Sequence, residues 1–339
     1  MYKLSLFFFT LLFTGASSFA VENVEKYYEE VNNTYISVSN LTLDYTTAAK
    51  HGGDLKAVEP KRLKVIAETK KAKQKLELLG KWEDQTELYD AVTHYYGKSL
   101  YMLENEYQTL LDLEAKKKEG ISEMTVFLEK EKKIRDAYVE ITVKASEACA
   151  AFSRVNNLNI TASNESAITD LKKGSAAYDY YDQIYLVQFS CTHWEEQLMA
   201  AIEIKDISAI EKAGAEMLRL AEEGIAAVQG MGGFQGDDRV VAPTVQLLEF
   251  YKQEGKEHVP SIIAFYQAQK HFEDHAAEMK AKTSRTKEDV DNFNNEMREL
   301  KAKTELYNRE NNKLNARRVY VVNVWNNEAK NFIDHNVPQ

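Results

Sequence analysis

Proline is scarce in this chain, with 4 in 339 residues, and glycine is modest at 14. Few residues are available to interrupt regular structure, so long unbroken elements are expected. No convincing run of period-two alternation occurs, which argues against a sheet-built fold. Only 2 cysteines are present, too few for a disulfide-stapled scaffold. An excess of positive charge is also missing. Acidic residues number 53 against 43 basic, a formal net charge of −10. That balance argues against nucleic acid and anionic membrane surfaces as partners, since both select basic patches. Beyond residue 20 no apolar run approaches the ~20 residues a spanning helix needs.

What is present begins with a targeting pattern. Lys3 precedes a short apolar core, Leu4 to Thr14, and Ser18-Phe19-Ala20 supplies a small-x-small exit. Residues 1–20 read as a signal peptide cut after Ala20. The expected product is exported, soluble, and periplasmic, surface-associated or secreted. It is not expected to span a membrane.

The mature chain carries an internal echo. Ala48 to Glu59 (AAKHGGDLKAVE) matches Ala200 to Glu211 (AAIEIKDISAIE) at an offset of 152 positions. Upstream, Tyr27 to Val31 (YYEEV) matches Tyr180 to Ile184 (YYDQI). Downstream, Gly80 and Trp82 match Gly232 and Phe234. A repeat of this length is domain-sized and unlike a solenoid period.

Apolar residues recur at three- and four-residue steps along each copy, which places them on one helical face. Tyr28, Val31, Tyr35 and Val38 mark a first helix over 24–51, ended by Gly52-Gly53, with Asp54 as cap of the next. Further helices are expected over 54–79, 84–118 and 122–155. The second copy repeats the series, with Pro243 near a helix start and Pro260 at a kink. Its last segment, 287–336, is longer than its counterpart and could form a protruding arm. Amphipathic helices on short turns cover their stripes by packing together. The expected fold is all-α: two tandem, duplicated four-helix-bundle-like units with long antiparallel helices. The expected domains are repeat 1 over 21–156, a linker over 157–174 rich in Asn, Ser and Thr, and repeat 2 over 175–339. The linker holds two sequons, at Asn159 and Asn164.

Few residues suggest chemistry. His271, His275 and Glu278 share one helical face and are weak candidates for a metal site. The residue after His271 is Phe272, so the metalloprotease pattern is not met. No Glu is followed by His three residues later, which excludes the di-iron bundle pattern. Asp90 and His94 read as an exposed pair, and Cys191 and His193 fall on different helix faces. The glycine-rich loop 230–236 lacks the Lys-Ser/Thr of a phosphate loop. Tyr27, Tyr28, Tyr180 and Tyr181 could line a ligand groove or fill a core. Cys149 and Cys191, one per copy, could form a disulfide across the linker or remain two buried thiols. No cofactor is indicated.

The signal segment, YYEEV/YYDQI, DLKAVE/DISAIE and the turns Gly80-Lys-Trp82 and Gly232-Gly-Phe234 resemble uncharacterised exported, helix-rich surface proteins of Gram-negative bacteria. The resemblance implies no catalytic residue. In outline the chain is also similar to imelysin-type exported proteins, whose motif is Gly-x-His-x-x-Glu. His193-Trp-Glu-Glu196 and His275-Ala-Ala-Glu278 meet its His-x-x-Glu spacing, with Cys191 and Glu273 in the glycine position. The function expected is a non-enzymatic surface or periplasmic binding or structural protein, with a protein or glycan partner at the cell envelope. The alternatives are a metal- or small-ligand-binding protein using the His271/His275/Glu278 face, and an enzyme of unrecognised type.

Overall fold

A computed structural model describes residues 23–52, 55–158 and 163–337. The expected signal peptide, the Asp54 cap and the Asn159 sequon lie outside the described residues. The described chain is all-helical. Its only strand-like features among those residues are two isolated bridges, Trp82 with Gln85 and Phe234 with Asp237. The helices are α1 (Val24–Gly52), α2 (Glu59–Leu79), α3 (Glu87–Tyr101), α4 (Tyr107–Lys116), α5 (Ile121–Val155), α6 (Ser163–Glu203), α7 (Ile207–Met231), α8 (Val241–Gln253), α9 (Val259–Ala281) and α10 (Lys287–Asn336). A 3-10 turn, Leu55–Val58, leads into α2. One π-turn, Met102–Glu106, joins α3 to α4, and another, Glu254–His258, joins α8 to α9.

The described chain forms two compact units that are not two contiguous stretches. Of the described residues, those up to 107 and those from 140 to 168 make unit 1, and the others make unit 2. Residues 163–174 of the expected linker are helical. Helix α6 begins at Ser163 and runs through Gly174 without a break. Ala167, Ile168, Leu171 and Lys172 are good enough helix formers to continue it despite the polar surroundings.

Unit 1 buries Tyr27, Val31, Tyr35 and Val38 of α1, Val65 and Leu76 of α2, and Leu88, Val92, Tyr95 and Tyr96 of α3. In α1 and α3 these are the stripes that the three- and four-residue steps mark, whereas in α2 the step residue Leu63 is exposed and Val65 is buried instead. The Tyr35 hydroxyl donates to the Thr142 carbonyl of α5 at 3.0 Å, so a polar tip buried in the core is satisfied. Unit 2 is built around α7. Ile210, Met217, Ala221 and Val228 pack with Leu247, Leu248 and Tyr251 of α8, Ile262 of α9 and Val321 and Trp325 of α10. The Trp325 Nε1 proton goes to Thr244 Oγ1 at 2.9 Å. Pro260 falls in the first turn of α9, where its missing N–H costs nothing.

Close approach inside unit 2 depends on small residues. A Cβ on Gly224 would stand 2.6 Å from Val187 Cγ1, whereas one on Gly97 would meet nothing within 4 Å. Gly224→Ala is therefore expected to destabilise by about 1–3 kcal/mol through overpacking. Gly97→Ala should stabilise by about 0.5–1 kcal/mol through helix propensity alone. Thermal denaturation of both variants checks the contrast, and equal shifts would contradict the close packing of α7.

Candidate functional site

Three places bring functional side chains together: a corner in each unit, the outer α9–α10 hairpin, and a buried charge cluster on the second π-turn. The two corners hold the predicted tyrosines. In unit 1, α2 ends at Gly80 with φ 68°, a backbone shape that favours glycine. The Tyr27 hydroxyl donates to the Gly80 carbonyl at 2.9 Å. Its ring lies 5.3 Å from Trp82 and 5.8 Å from Phe152, and Tyr28 stacks on Phe152 at 6.0 Å. In unit 2, α7 ends at Gly232 with φ 65°. The Tyr180 hydroxyl donates to the Gly232 carbonyl at 2.6 Å, and its ring lies 5.5 Å from both Phe234 and Phe332. Tyr181 stacks on Phe332 at 6.4 Å. Glu83 and Gln235, one turn position on, share a positive φ of 46° and 51°.

The tyrosines are thus structural. Tyr27 and Tyr28 are buried, so they line no groove. Tyr180 and Tyr181 are half-buried against the core of unit 2. Burial pushes the Tyr27 and Tyr28 hydroxyls up to about 12, so both stay protonated. A cleft of about 410 Å³ opens beside the second corner, with Lys173, Asp237, Asp238, Arg239 and His335 on its walls. Its central carboxylate is already engaged. Asp237 accepts from Asn336 Nδ2 at 2.7 Å and from Arg239 Nε at 2.9 Å. Burial opposes that charge, but these donors outweigh it and hold the Asp237 carboxyl below the usual range.

The histidine face does not assemble. His271 and Glu278 are exposed, and His275 turns to α10, with Nδ1 2.6 Å from Glu296 Oε2. No group of three or more His, Cys, Asp or Glu side chains is placed to hold a metal ion among the described residues. The disulfide is not formed. Cys149 and Cys191 are free and buried, and burial pushes each thiol up to about 12, which leaves both unreactive. Asp90 pairs with Lys81 at 2.9 Å in place of His94.

The hairpin of α9 and α10 is the most unusual surface. Its outer part is ordered by one narrow seam. Phe265 stacks on Tyr307 at 4.6 Å and Phe272 on Phe293 at 5.1 Å. At the tip, Thr286 caps α10 in a reciprocal capping box with Asp289, and Lys282 pairs with Asp289 at 2.7 Å. Between Tyr266 and Leu314 only Met279 is buried. Val290, Met297 and Leu306 stay 42%, 45% and 49% exposed.

Sequence reasoning missed the charge cluster, because its members stand far apart in the chain. Glu254, fully buried, opens the second π-turn. Arg318 of α10 donates Nη2 to Glu254 Oε1 at 2.5 Å and Nε to Glu195 of α6. Glu254 Oε2 is buried without a hydrogen-bond partner. Burial above all, opposed by Arg318 and reinforced by Glu195, pushes the Glu254 carboxyl up to about 7. The only sequence signal was a Glu in an otherwise apolar helical stripe.

No family model matches the chain, and neither curated proteins nor solved structures give a match. No helix among the described residues is long and apolar enough to cross a membrane.

The corner geometry carries its own test. Tyr27→Phe and Tyr180→Phe should each cost about 0.5–1.5 kcal/mol, because each strands a glycine carbonyl. Chemical denaturation of the two single variants checks this. A neutral result in both would mean that the hydroxyls do not hold the turns.

Proposed function

We propose that the chain is an exported, non-enzymatic binding protein made of two copies of one helical unit, and that the outer α9–α10 hairpin is its binding element. The signal-type segment, Lys3 to Ala20, supports export. Duplication is supported by the echo and by the paired corners. Gly80 and Gly232, Trp82 and Phe234, and the two π-turns all stand 152 positions apart. The partners that close the corners do not. Phe332 stands 180 positions after Phe152, and Asn336 stands 180 after Asn156. The second copy has therefore gained 28 residues (180 − 152) after its π-turn, between His258 and Phe332. A gain of 28 is four heptads, or two on each helix, which lengthens a hairpin without shifting its seam.

One observation carries the functional reading. The added length is ordered yet contributes a single buried residue, Met279, between Tyr266 and Leu314. Fixing a residue's backbone costs roughly 1–2 kcal/mol, and this segment recovers little of that through burial in unit 2. Exposed Val290, Met297 and Leu306 among interspersed charges suit a protein surface of mixed charge. The partner we infer is a protein of the cell envelope.

Shortening the hairpin by about two heptads per helix should leave the melting temperature of unit 2 close to that of the parent. A photocrosslinking residue at Met297 or Leu306, in the producing cell, should give one discrete adduct. The same residue at Ile204, which is 73% exposed outside the hairpin, should not. Loss of folding on shortening, or equal adducts at all three positions, would refute the reading.

A further inference from the structure

The second π-turn opens on a buried carboxyl, Glu254, where the first opens on Met102. Met102 occupies the position 152 before Glu254 and is also buried. Unit 1 closes its turn differently, with Arg62 Nη1 donating to the Leu103 carbonyl at 2.5 Å while its guanidinium covers the Tyr107 ring at 4.2 Å. A π-turn therefore does not require a buried acid, and Glu254 needs its own explanation. π-turns are frequent at functional positions.

The charges around Glu254 do not balance. One guanidinium, Arg318, faces two carboxylates, Glu195 and Glu254. Arg318 also donates to Asn315. Tyr251 of α8, itself hydrogen-bonded to Thr192 at 3.0 Å, faces Glu195, and Cys191 lies beside Tyr251. On the α7 side Gly214 and Leu218 stand against Gly255 of the turn, and Val259 of α9 packs on Gly214. On the turn itself Lys256 and Glu257 are exposed and His258 is half-buried. With both acids ionised, a net negative charge would sit in a place closed to water, and Glu254 Oε2 would lack a donor. A proton on Oε2 removes both faults. It turns an orphaned acceptor into a donor, and the Glu195 carboxylate, held on the same Arg318 guanidinium, is the acceptor beside it.

We propose that Glu254 and Glu195 share one proton, and that this carboxylic acid–carboxylate pair, clamped by Arg318, is a proton-dependent latch tying α6, the π-turn and α10 together in unit 2. Gaining the proton forms the Glu254 Oε2–H···Glu195 hydrogen bond. Losing it to solvent leaves two carboxylates facing each other, and the π-turn opens to hydrate them.

The sign of the pH dependence follows from linkage. The folded Glu254 holds its proton more tightly than an ordinary carboxyl. Its stabilisation is complete below the ordinary carboxyl value near 4.5 and is lost as pH rises through about 7. Infrared spectra of the wild-type protein should show a buried protonated-carboxyl band at about pH 6 that disappears above about pH 8. Glu254→Gln should remove the band. The wild-type melting temperature should fall by several degrees across that interval. Glu254→Gln and Glu254→Met, the latter copying the first π-turn, should fall less. Amide exchange at 254–258 should accelerate with pH more in the wild type than in Glu254→Gln, beyond the intrinsic rise. Absence of the band from folded wild type at about pH 6 would overturn the proposal, whatever the variants do. So would equal pH slopes in wild type and both variants.

Discussion

The last carbonyls of a helix have no partner inside it, and in both units a tyrosine hydroxyl from another helix supplies one at the closing glycine. Tyr27 does this for Gly80 and Tyr180 for Gly232. Much else follows from that bond. It fixes where α2 and α7 stop and how the chain reverses into α3 and α8. It sets the tyrosine ring against Trp82 or Phe234, and so seats the end of α5 or α10 through Phe152 or Phe332. Only then can the apolar stripes of long helices face one another, and burial of those stripes supplies most of the stabilisation.

The stabilisation is unevenly spread. Around α7, glycines let backbones approach and Tyr251, Leu248 and Trp325 fill the space. Along the outer hairpin, a few aromatic pairs and a capped tip hold two helices together. Between these extremes lies the Arg318 cluster, where two buried carboxyl groups share one half-buried guanidinium. Replacing such a cluster with apolar residues often leaves stability intact, so its retention in one π-turn and not the other suits a role other than stability.

Much of the helical layout was legible. The spacing of Tyr28, Val31, Tyr35 and Val38 marked α1, and the end of the second helix at residue 79 was placed correctly, whereas the loop expected over 230–236 begins two residues later, after Met231. The start of α6 was not legible, because Asn- and Ser-rich composition was read as a connector where local propensity favours helix. Neither π-turn was legible. Met102 to Glu106 reads as ordinary helix, because the apolar steps on either side continue at three- and four-residue spacing. For the sites, spacing within one helix misled. His271, His275 and Glu278 share a face, yet His275 is claimed by Glu296 from another helix. Glu195, Glu254 and Arg318 come together only through tertiary packing, which a single sequence does not display.

The proposed role of the outer hairpin requires that it be ordered by its own seam, outside the cooperative core of unit 2. Native-state amide hydrogen exchange resolved along α9 and α10 tests this most directly. Residues between Tyr266 and Leu314 should open with a markedly lower free energy than those of α7 and α8, while still exchanging more slowly than an unfolded chain. Protection equal to that of α7 and α8 would show the hairpin to be part of the core, and would contradict its assignment as a free binding element.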